Sequence, residues 1–316
     1  MKKLAFICTR GLDTFIEPIV REFEKDAAYQ VRRFYVTTNQ EIIAAVKWAD
    51  IVWLEWANEV AIIASQMYDM KKKGVIVRLH SYEAISPMPT QINWINVDYL
   101  VFVASHIMDI VKGKLPNIEK LTCPKIVPNG VDIDAIPVME PGDPHEIAYV
   151  ANINHKKAPE LALQIMAALV AKDPAFRLHI AGAYQDERYQ IYMKHMMSDM
   201  GIEQNVIMYG FVQDMEQFWK GKGAILSTSI HEGHPLNIIE GMARGIRPVI
   251  HNFYGARRLY QSEWLFNTVD EAVDLLTQLS GPTGVIRHHV IDRGWTLAEQ
   301  MRQFKKLVAK AGEKRK

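Results

Sequence analysis

The sequence predicts an α/β fold with two doubly wound, Rossmann-like parallel-sheet domains that face a central cleft. Three observations support this prediction. Short apolar runs alternate with amphipathic stretches, which is the βαβ pattern of a parallel sheet. The pattern breaks once, at the proline- and glycine-rich segment PVMEPGDP (residues 137–144), and then resumes. The length of 316 residues suits two domains.

The first half of the sequence carries six apolar runs that predict its strands. In chain order they are LAFIC, VRRFYV, DIVWLEW, GVIVRL, YLVFVA and PKIVP. The stretches between them, such as DTFIEPIVREFEK and EVAIIASQMYDMKKKG, place apolar residues three and four positions apart, which predicts helices. We expect these elements to form an N-terminal domain over residues 1–138.

The second half repeats this pattern with the runs EIAYVAN, RLHIAG, NVIMYG, GAILSTS and RPVIHN. They predict a C-terminal domain over residues 139–294, followed by a long amphipathic helix within residues 295–316. That helix could pack on either domain, and so could cross back to the first. Open parallel sheets bind ligands beyond the carboxyl ends of their strands, so two sheets face to face would place the site in the cleft between them.

The composition gives no sign of a nucleic-acid or strongly charged partner. Formal net charge is +1, with 49% apolar and 23% charged residues. Cys8 and Cys123 are expected to be thiols in a reducing compartment. Because the N-terminal apolar run stops after Cys8 and no run approaches the roughly 20 residues of a membrane span, we expect a cytoplasmic protein. The lysines at 71–73 and the final EKRK predict either solvated charge or a peripheral membrane contact.

The segment SIHEGHPLNIIEGMARG (residues 229–245) combines a strand end, a helix start and two glutamates. Pro235 suits the first turn of a helix, and Gly245 suits its end. The backbone N–H groups at such a helix start, here those near His234, Leu236 and Asn237, bind phosphate well. The segment therefore predicts a site for a phosphorylated ligand.

The two glutamates flank this helix start. Glu232 lies before it, and Glu240 lies inside the helix with its side chain directed back toward the N-terminus. Gly233 would let a ligand approach the backbone closely. A carboxylate can accept from both hydroxyls of a diol, so we predict that Glu240 binds the ribose and Glu232 the sugar of a nucleotide-diphosphate sugar. The alternative is that both residues only stabilise the helix dipole.

The string EGHPLNIIEGMARGIRPVI resembles the E-x7-E signature of the retaining glycosyltransferase family 4, whose members have the GT-B fold. Four further segments resemble the family in the same order along the chain: VRLHSYE at 77–83, KIVPNGVDID at 125–134, YVANINHKKAPEL at 149–161 and NVIMYGFV at 205–212. The resemblance covers most of the chain and is strongest in the second half.

This resemblance implies a hexosyltransferase that moves a sugar from a nucleotide-diphosphate sugar to an acceptor hydroxyl, with retention and without a metal cofactor. The N-terminal domain would take the acceptor, which could be a glycan, lipid, protein, nucleic acid or small molecule. His80 would approach the donor sugar, while Lys157, or Lys156 if the register shifts by one residue, would bind the diphosphate. Phe211 would flank the base, unless it is a core aromatic.

Two positions depart from the family pattern. The family usually carries an arginine where this chain has Asn152, and often a double glycine where this chain has Arg10 and Gly11. Arg10 could supply the missing charge near the diphosphate. Asn152 keeps open the alternative of a catalytically weak homologue that binds a nucleotide-sugar or glycan, alone or as a partner subunit. A second alternative is a GT-B sugar-nucleotide epimerase, which binds a similar donor but needs no acceptor.

Two other patterns carry weaker expectations. HEGH at 231–234 spaces its histidines three residues apart, whereas zinc proteases need H-E-x-x-H, so we predict no metal site. Trp53, Trp56 and Trp94 are expected near the cleft side of the first domain, either as core aromatics or as a platform for the acceptor.

Overall fold

The computed structural model describes residues 1–13, 15–278 and 284–313. Two compact units divide them: one joins Met1–Gly130 to the described part of Leu297–Lys316, and the other is Val131–Thr296. Residues 314–316 of the basic EKRK tail lie outside the described residues, so the expected membrane contact there stays a prediction. Among the residues described, no helix combines the length and the apolar character needed to cross a bilayer.

Each unit contains a six-stranded parallel sheet. The strands of the first unit are β1 (Lys2–Thr9), β2 (Tyr29–Val36), β3 (Ile51–Glu55), β4 (Gly74–Leu79), β5 (Tyr99–Phe102) and β6 (Cys123–Ile126). Those of the second are β7 (Asp143–Val150), β8 (Arg177–Ala181), β9 (Val206–Gly210), β10 (Lys222–Ser227), β11 (Arg247–His251) and β12 (Leu265–Phe266). The orders across the sheets are β2-β1-β3-β4-β5-β6 and β12-β11-β10-β7-β8-β9.

Helices connect the strands in both units. They are α1 (Glu17–Glu24), α2 (Asn39–Trp48), α3 (Glu59–Gln66), α4 (Ser81–Ile85), α5 (Ser105–Lys114), α6 (Ile118–Leu121), α7 (Pro159–Lys172), α8 (Glu187–Asp199), α9 (Met215–Trp219), α10 (Leu236–Ala243), α11 (Ala256–Leu259), α12 (Val269–Thr277), α13 (Gly284–Asp292) and α14 (Leu297–Glu313). All the apolar runs that predicted strands form strands, and the two-residue β12 is an addition that the sequence did not predict.

The last helix, α14, packs on the first unit. Its apolar face joins the core formed by β1, β3 and α1, where the Phe304 ring meets the Trp53 ring edge-on at a centroid distance of 4.8 Å. The start of β4 lies so close to the helix that a Cβ atom at Gly74 would be 2.5 Å from the Ala311 carbonyl oxygen. Burial of this amphipathic face supplies the main stabilisation of the helix.

The core of the second unit lies between its sheet and the helices on its faces. On one side, α7 buries Leu163 and Met166 against Ile147 of β7 and Leu178 of β8. Residues 147–149 of β7 and 178–181 of β8 are buried, which explains why these parts of the two strands appear in the sequence as short, mostly apolar runs.

The two units meet in sequence at Gly130 and Val131, whereas the proline-rich segment placed the expected boundary at residue 138. Residues 131–138 are held by the second unit. The Arg287 guanidinium donates to the carbonyl oxygens of Ile133 at 2.6 Å and Ile136 at 2.9 Å, and Val131 N–H donates to Trp295 at 3.1 Å. These backbone contacts depend on tertiary structure and leave no mark in the local sequence pattern.

The strand orders determine which loops meet at the end of each sheet. In the second sheet β7 lies between β8 and β10. The chain adds β8 and β9 on one side of β7 and then adds β10, β11 and β12 on its other side. The carboxyl ends of β7 and β10 therefore form a topological switch point, where open α/β sheets bind ligands. In the first sheet the corresponding pair is β1 and β3.

Candidate active site

A charged cluster of Lys156, Lys157 and Glu232, here called the lysine–glutamate cluster, lies at the switch point of the second unit. The lysines lie in a short 3-10 turn in the loop after β7, and Glu232 lies in the loop after β10. The Lys157 Nζ atom is 2.5 Å from Oε1 of Glu232, and the Lys156 Nζ atom is 3.1 Å from Oε2. Each carboxylate oxygen thus binds one ammonium group.

The turn that carries the two lysines is fixed at several points. The Asn154 side chain accepts from the Lys157 N–H at 3.2 Å, and Ala158 closes the turn in a left-handed conformation with φ of 44°. The Lys157 carbonyl oxygen accepts from the hydroxyls of Thr228 at 2.6 Å and Tyr149 at 2.8 Å. These bonds join the loop after β7 to the end of β10, so the positions of the lysine backbones are set before any ligand binds.

Burial and charge act in opposite directions on Glu232, whose residue is 5% exposed. Burial alone would raise the pKa of its carboxyl, but the charges of Lys157 and Lys156 and their hydrogen bonds outweigh this and lower the pKa to about 2. Glu232 is therefore a carboxylate at neutral pH, and the cluster of two ammonium groups and one carboxylate carries a net charge of +1.

The helix α10 begins beside this cluster. Pro235 precedes the first turn in an extended conformation, so the helix starts at Leu236, one residue later than predicted. Gly245, with φ of 86°, follows the end of the helix as predicted. The Asn237 side-chain amide donates to the Val150 carbonyl oxygen at 2.6 Å and ties the first turn of α10 to the end of β7. The helix N-terminus is thereby fixed at the switch point.

Residues 233 and 234 lead into this helix and are buried. The His234 ring packs edge-on against Trp295 at a centroid distance of 4.6 Å. Gly233 and His234 thus join Glu232, which immediately precedes them in the loop, to the start of α10.

Glu240 is half-buried on α10, and its carboxyl forms no hydrogen bond or close ion pair with another residue in the described part of the chain. Burial raises the pKa of this carboxyl; Arg244 opposes the effect, and the nearby charge of Glu216 adds to it. Arg244 itself is bonded to Glu216 and to the Glu240 carbonyl oxygen at 3.0 Å. The carboxylate is consequently available to a ligand.

Two other predicted residues of the second unit lie in loops that follow strand ends. The exposed Asn152 side chain accepts from the Ala183 N–H at 3.2 Å and so connects the loops after β7 and β8. Phe211 follows β9 and is 83% exposed, so the interpretation as a core aromatic is wrong. An exposed phenylalanine at the carboxyl edge of the sheet is free to contact a base, as the resemblance implies.

In the first unit, His80 follows β4 and precedes α4. The residue is buried, and its Nε2 atom lies 2.8 Å from Oε1 of Glu55, the last residue of β3. Glu55 also accepts from Arg78 at 2.9 Å and from the Trp53 indole at 2.8 Å. Burial would raise the pKa of Glu55, but Arg78 and then His80 outweigh it and lower the pKa. An ionised carboxylate therefore holds one side of the His80 ring.

The His80 ring also contacts two aromatic rings: Trp56 stacks on it at a centroid distance of 4.1 Å with an angle of 29° between the planes, and Phe15 lies at 5.3 Å. Trp56 has a φ of 80°, an unfavourable backbone conformation for a residue with a side chain, and its indole N–H donates to the Leu12 carbonyl oxygen at 2.8 Å. Trp53 and Trp94 are core aromatics, whereas Trp56 is half-buried at a strand end.

Arg10 and Gly11 form the turn after β1, the partner of β3 at the first unit's switch point. Gly11 has a φ of 85°, which favours glycine, and a Cβ atom there would meet no atom within 4 Å. Arg10 is exposed. Across the residues that the structure describes, no three His, Cys, Asp or Glu side chains are grouped to hold a metal ion.

The comparisons with known proteins identify one matching domain in the second unit. Residues 134–265 match the family model described as glycosyl transferases group 1. The chain is also similar to the lipopolysaccharide 1,6-galactosyltransferase of Salmonella typhimurium, at 28% identity over 156 residues. That match covers 47% of this chain and less than half of the relative, 41% of its length.

Solved glycosyltransferase structures match nearly the whole chain. The lipopolysaccharide outer core galactosyltransferase WaaB, in its apo form, has a TM-score of 0.72 at 17% identity, covering 98% of this chain and 99% of that one. HepE of Anabaena in complex with UDP has a TM-score of 0.75 at 13% identity, covering 98% and 100%. The fold is GT-B. The two six-stranded parallel sheets described above are the sheets of this GT-B fold.

Sequence reasoning missed part of the candidate site. It placed Lys156 there only as a register alternative to Lys157, although the HKK turn presents both side chains to Glu232. It did not single out Glu55 or Arg78, whose buried pairing in the first GT-B unit supports His80. The available signal was charged residues inside two apolar strand runs, DIVWLEW and GVIVRL, where a charge is costly unless it is paired.

Proposed function

We propose that this protein is a glycosyltransferase that moves a hexose from a nucleotide-diphosphate sugar to an acceptor hydroxyl, with retention of the anomeric configuration and without a metal cofactor. The observation that carries the proposal is the lysine–glutamate cluster beside the N-terminus of α10, at the switch point of the second sheet. The group 1 domain match over residues 134–265 includes this cluster and supports the same reaction class.

The charges of the cluster suit a leaving diphosphate. Its net charge of +1 and the N–H groups at the start of α10, an eight-residue helix, both favour an anion. As the bond to the sugar breaks, negative charge grows on the phosphate oxygen, and fixed positive charge stabilises it without reorganisation. Lys157, Gly233, His234, Pro235, Leu236 and Asn237 are the residues that we assign to this part of the site.

The two glutamates would recognise the hydroxyls on either side of the diphosphate. Glu240 has a carboxylate that no described residue engages, which suits the ribose diol. Each oxygen of Glu232 binds one lysine at the edge of the proposed diphosphate site, and we assign the carboxylate to a hydroxyl of the transferred sugar. Glu232 would thus position the lysines and contact the transferred sugar.

In the proposed reaction the acceptor hydroxyl attacks the anomeric carbon on the face that the diphosphate leaves. The anomeric carbon–oxygen bond to the phosphate breaks, a glycosidic bond forms on the same face, and the hydroxyl proton passes to a departing phosphate oxygen. The resemblance to family 4 assigns His80 to the donor sugar, Phe211 to the base, and Arg10, Gly11 and Asn152 to the donor, and these assignments remain predictions. No step requires a metal ion.

The names of similar proteins favour particular substrates. The solved HepE structure contains UDP, and one relative is named for galactosyl transfer to lipopolysaccharide. We therefore propose a UDP-hexose as donor and a saccharide as acceptor. The second candidate function is a catalytically weak binding homologue, which the engagement of Asn152 with Ala183, in place of a cationic residue, favours.

The test uses purified protein with UDP-glucose, UDP-galactose or UDP-N-acetylglucosamine and a deacylated lipopolysaccharide core oligosaccharide as acceptor. We expect UDP release that depends on the acceptor, an α-linked product by proton NMR, and the same rate in EDTA. UDP-sugar binding without product would favour the binding homologue, while a changed UDP-sugar without acceptor would indicate an epimerase. Loss of turnover in EDTA with recovery on adding Mg²⁺ would contradict the metal-free reaction.

A further inference from the structure

We propose that Lys156 is the second cation of the diphosphate site and takes the place of the arginine that family 4 members carry at the position of Asn152. This inference rests on the proposed function, since it assigns a ligand contact within the same site.

The two lysines contact the same carboxylate but differ in their exposure to solvent. Their Nζ atoms bind opposite oxygens of one carboxylate, at 3.1 Å for Lys156 and 2.5 Å for Lys157. The Lys156 side chain is 40% exposed and that of Lys157 is 15% exposed. Lys156 is therefore the more accessible of the two cations to a ligand that arrives from solvent.

The backbone of Lys156 is tied to the neighbouring loop by a hydrogen bond. Its carbonyl oxygen accepts from the Ile230 N–H at 3.0 Å, which ties it to the loop that leads to Glu232. The side chain therefore starts from a fixed point at the switch point and ends on Glu232. A surface lysine without such contacts would lose more conformational entropy on binding a phosphate.

The charge balance of the cluster favours a role for Lys156 in binding an anion. With both lysines, the cluster carries two positive charges and one negative charge, a net +1. Without Lys156, the remaining Lys157 and Glu232 cancel, and a dianionic diphosphate would meet a neutral pair. Asn152 cannot supply the missing charge, because its side chain is uncharged and accepts from the Ala183 N–H.

The first experiment measures UDP and uridine binding by calorimetry to the full chain and to Lys156→Met. Since a charge-assisted hydrogen bond is lost, we expect UDP affinity to fall roughly tenfold to 150-fold and uridine affinity to stay within about twofold. Lys172→Met is the matched control, because Lys172 is an exposed lysine of the same unit that pairs with Asp274 at 3.7 Å. The control should bind both ligands normally.

The second experiment tests whether an arginine at position 152 can replace the positive charge of Lys156 in UDP binding. The double variant Asn152→Arg/Lys156→Met should recover most of the lost UDP affinity, and Lys156→Arg should retain it. Circular dichroism of each variant verifies folding.

Three results would overturn the inference. They are UDP affinity within about twofold of wild type in Lys156→Met, an equal loss of uridine affinity, and a double variant as weak as Lys156→Met. If the unmodified protein binds none of UDP, ADP, GDP and CDP, the proposed function itself fails, which is a separate outcome.

Discussion

Lys157 and Glu232 form a buried ion pair across the switch point of the second sheet, with 2.5 Å between Nζ and Oε1. The pair joins the loops after β7 and β10, which are separated by more than seventy residues of sequence. Buried ion pairs of this kind lose much stability when one partner is removed, because the other charge remains without compensation. Protonation of the Glu232 carboxylate should therefore lower the stability of the protein in acid.

The pH dependence of stability should carry the signature of Glu232. Its folded pKa of about 2 lies below the ordinary value of 4.5, so its contribution is complete above pH 4.5 and is lost as the pH falls toward 2. The shift corresponds to about 3 kcal/mol. We expect urea unfolding to show Glu232→Gln less stable than wild type near pH 7, with the difference shrinking below pH 4.5. A constant difference from pH 7 to pH 3 would contradict this account.

Glu240→Gln should weaken binding of nucleosides and nucleotides alike. The change removes the carboxylate proposed to accept from the ribose diol, and both uridine and UDP carry ribose. Each affinity should fall roughly tenfold to 150-fold by calorimetry. Glu187→Gln, an exposed glutamate of α8, is the control. Normal uridine binding by a folded Glu240→Gln variant would remove Glu240 from the ribose site.

Glu55 and Arg78 should behave as a coupled pair in the first unit. Both are buried, and Glu55→Gln leaves the Arg78 guanidinium without its counter-charge, which we expect to cost about 3–5 kcal/mol in urea unfolding. Because Arg78→Met removes that buried charge, the double variant should be much more stable than the sum of the two single losses implies. Additive losses would show that the pairing contributes no coupling.

The Gly74→Ala variant tests how closely α14 packs on β4, and Gly113→Ala, in α5, is its control. A Cβ atom at Gly74 would lie 2.5 Å from the Ala311 carbonyl oxygen, so Gly74→Ala should destabilise the protein by about 1–3 kcal/mol or more. Gly113, near the end of α5, has no atom within 4 Å of such a Cβ, and Gly113→Ala should stabilise by about 0.5–1 kcal/mol. Thermal unfolding of both variants makes the comparison, and equal stability would exclude the close helix–strand contact.

Most of the fold could be predicted from the sequence, because strands buried on both faces leave continuous apolar runs. The exception, β12, has two residues and therefore leaves no run. The apolar pattern of α14 predicted which face of the helix is buried. It could not predict which domain covers that face, because an amphipathic pattern does not depend on the identity of the packing partner. Contacts such as that of Phe304 with Trp53 depend on the tertiary structure.

The candidate site was predictable as a set of residues and less so as a set of contacts. The helix-start pattern located Glu232 correctly beside α10, but no local pattern indicated that its two oxygens would bind Lys156 and Lys157. Asn237 was predicted to bind the donor, and the structure shows its side chain bonded to Val150. Periodicity likewise could not separate Trp56 from the buried Trp53, because both occur in the same apolar run, DIVWLEW, although Trp53 lies within β3 and Trp56 follows it.

The central claim is that a nucleotide-sugar binds at the lysine–glutamate cluster of the second unit. A crystal structure of the protein with UDP tests it most directly. The account predicts phosphate oxygens at about 3 Å from the Nζ atoms of Lys156 and Lys157, with the ribose hydroxyls on Glu240. UDP bound at another place, or bound here with its phosphates directed away from both lysines, would contradict it.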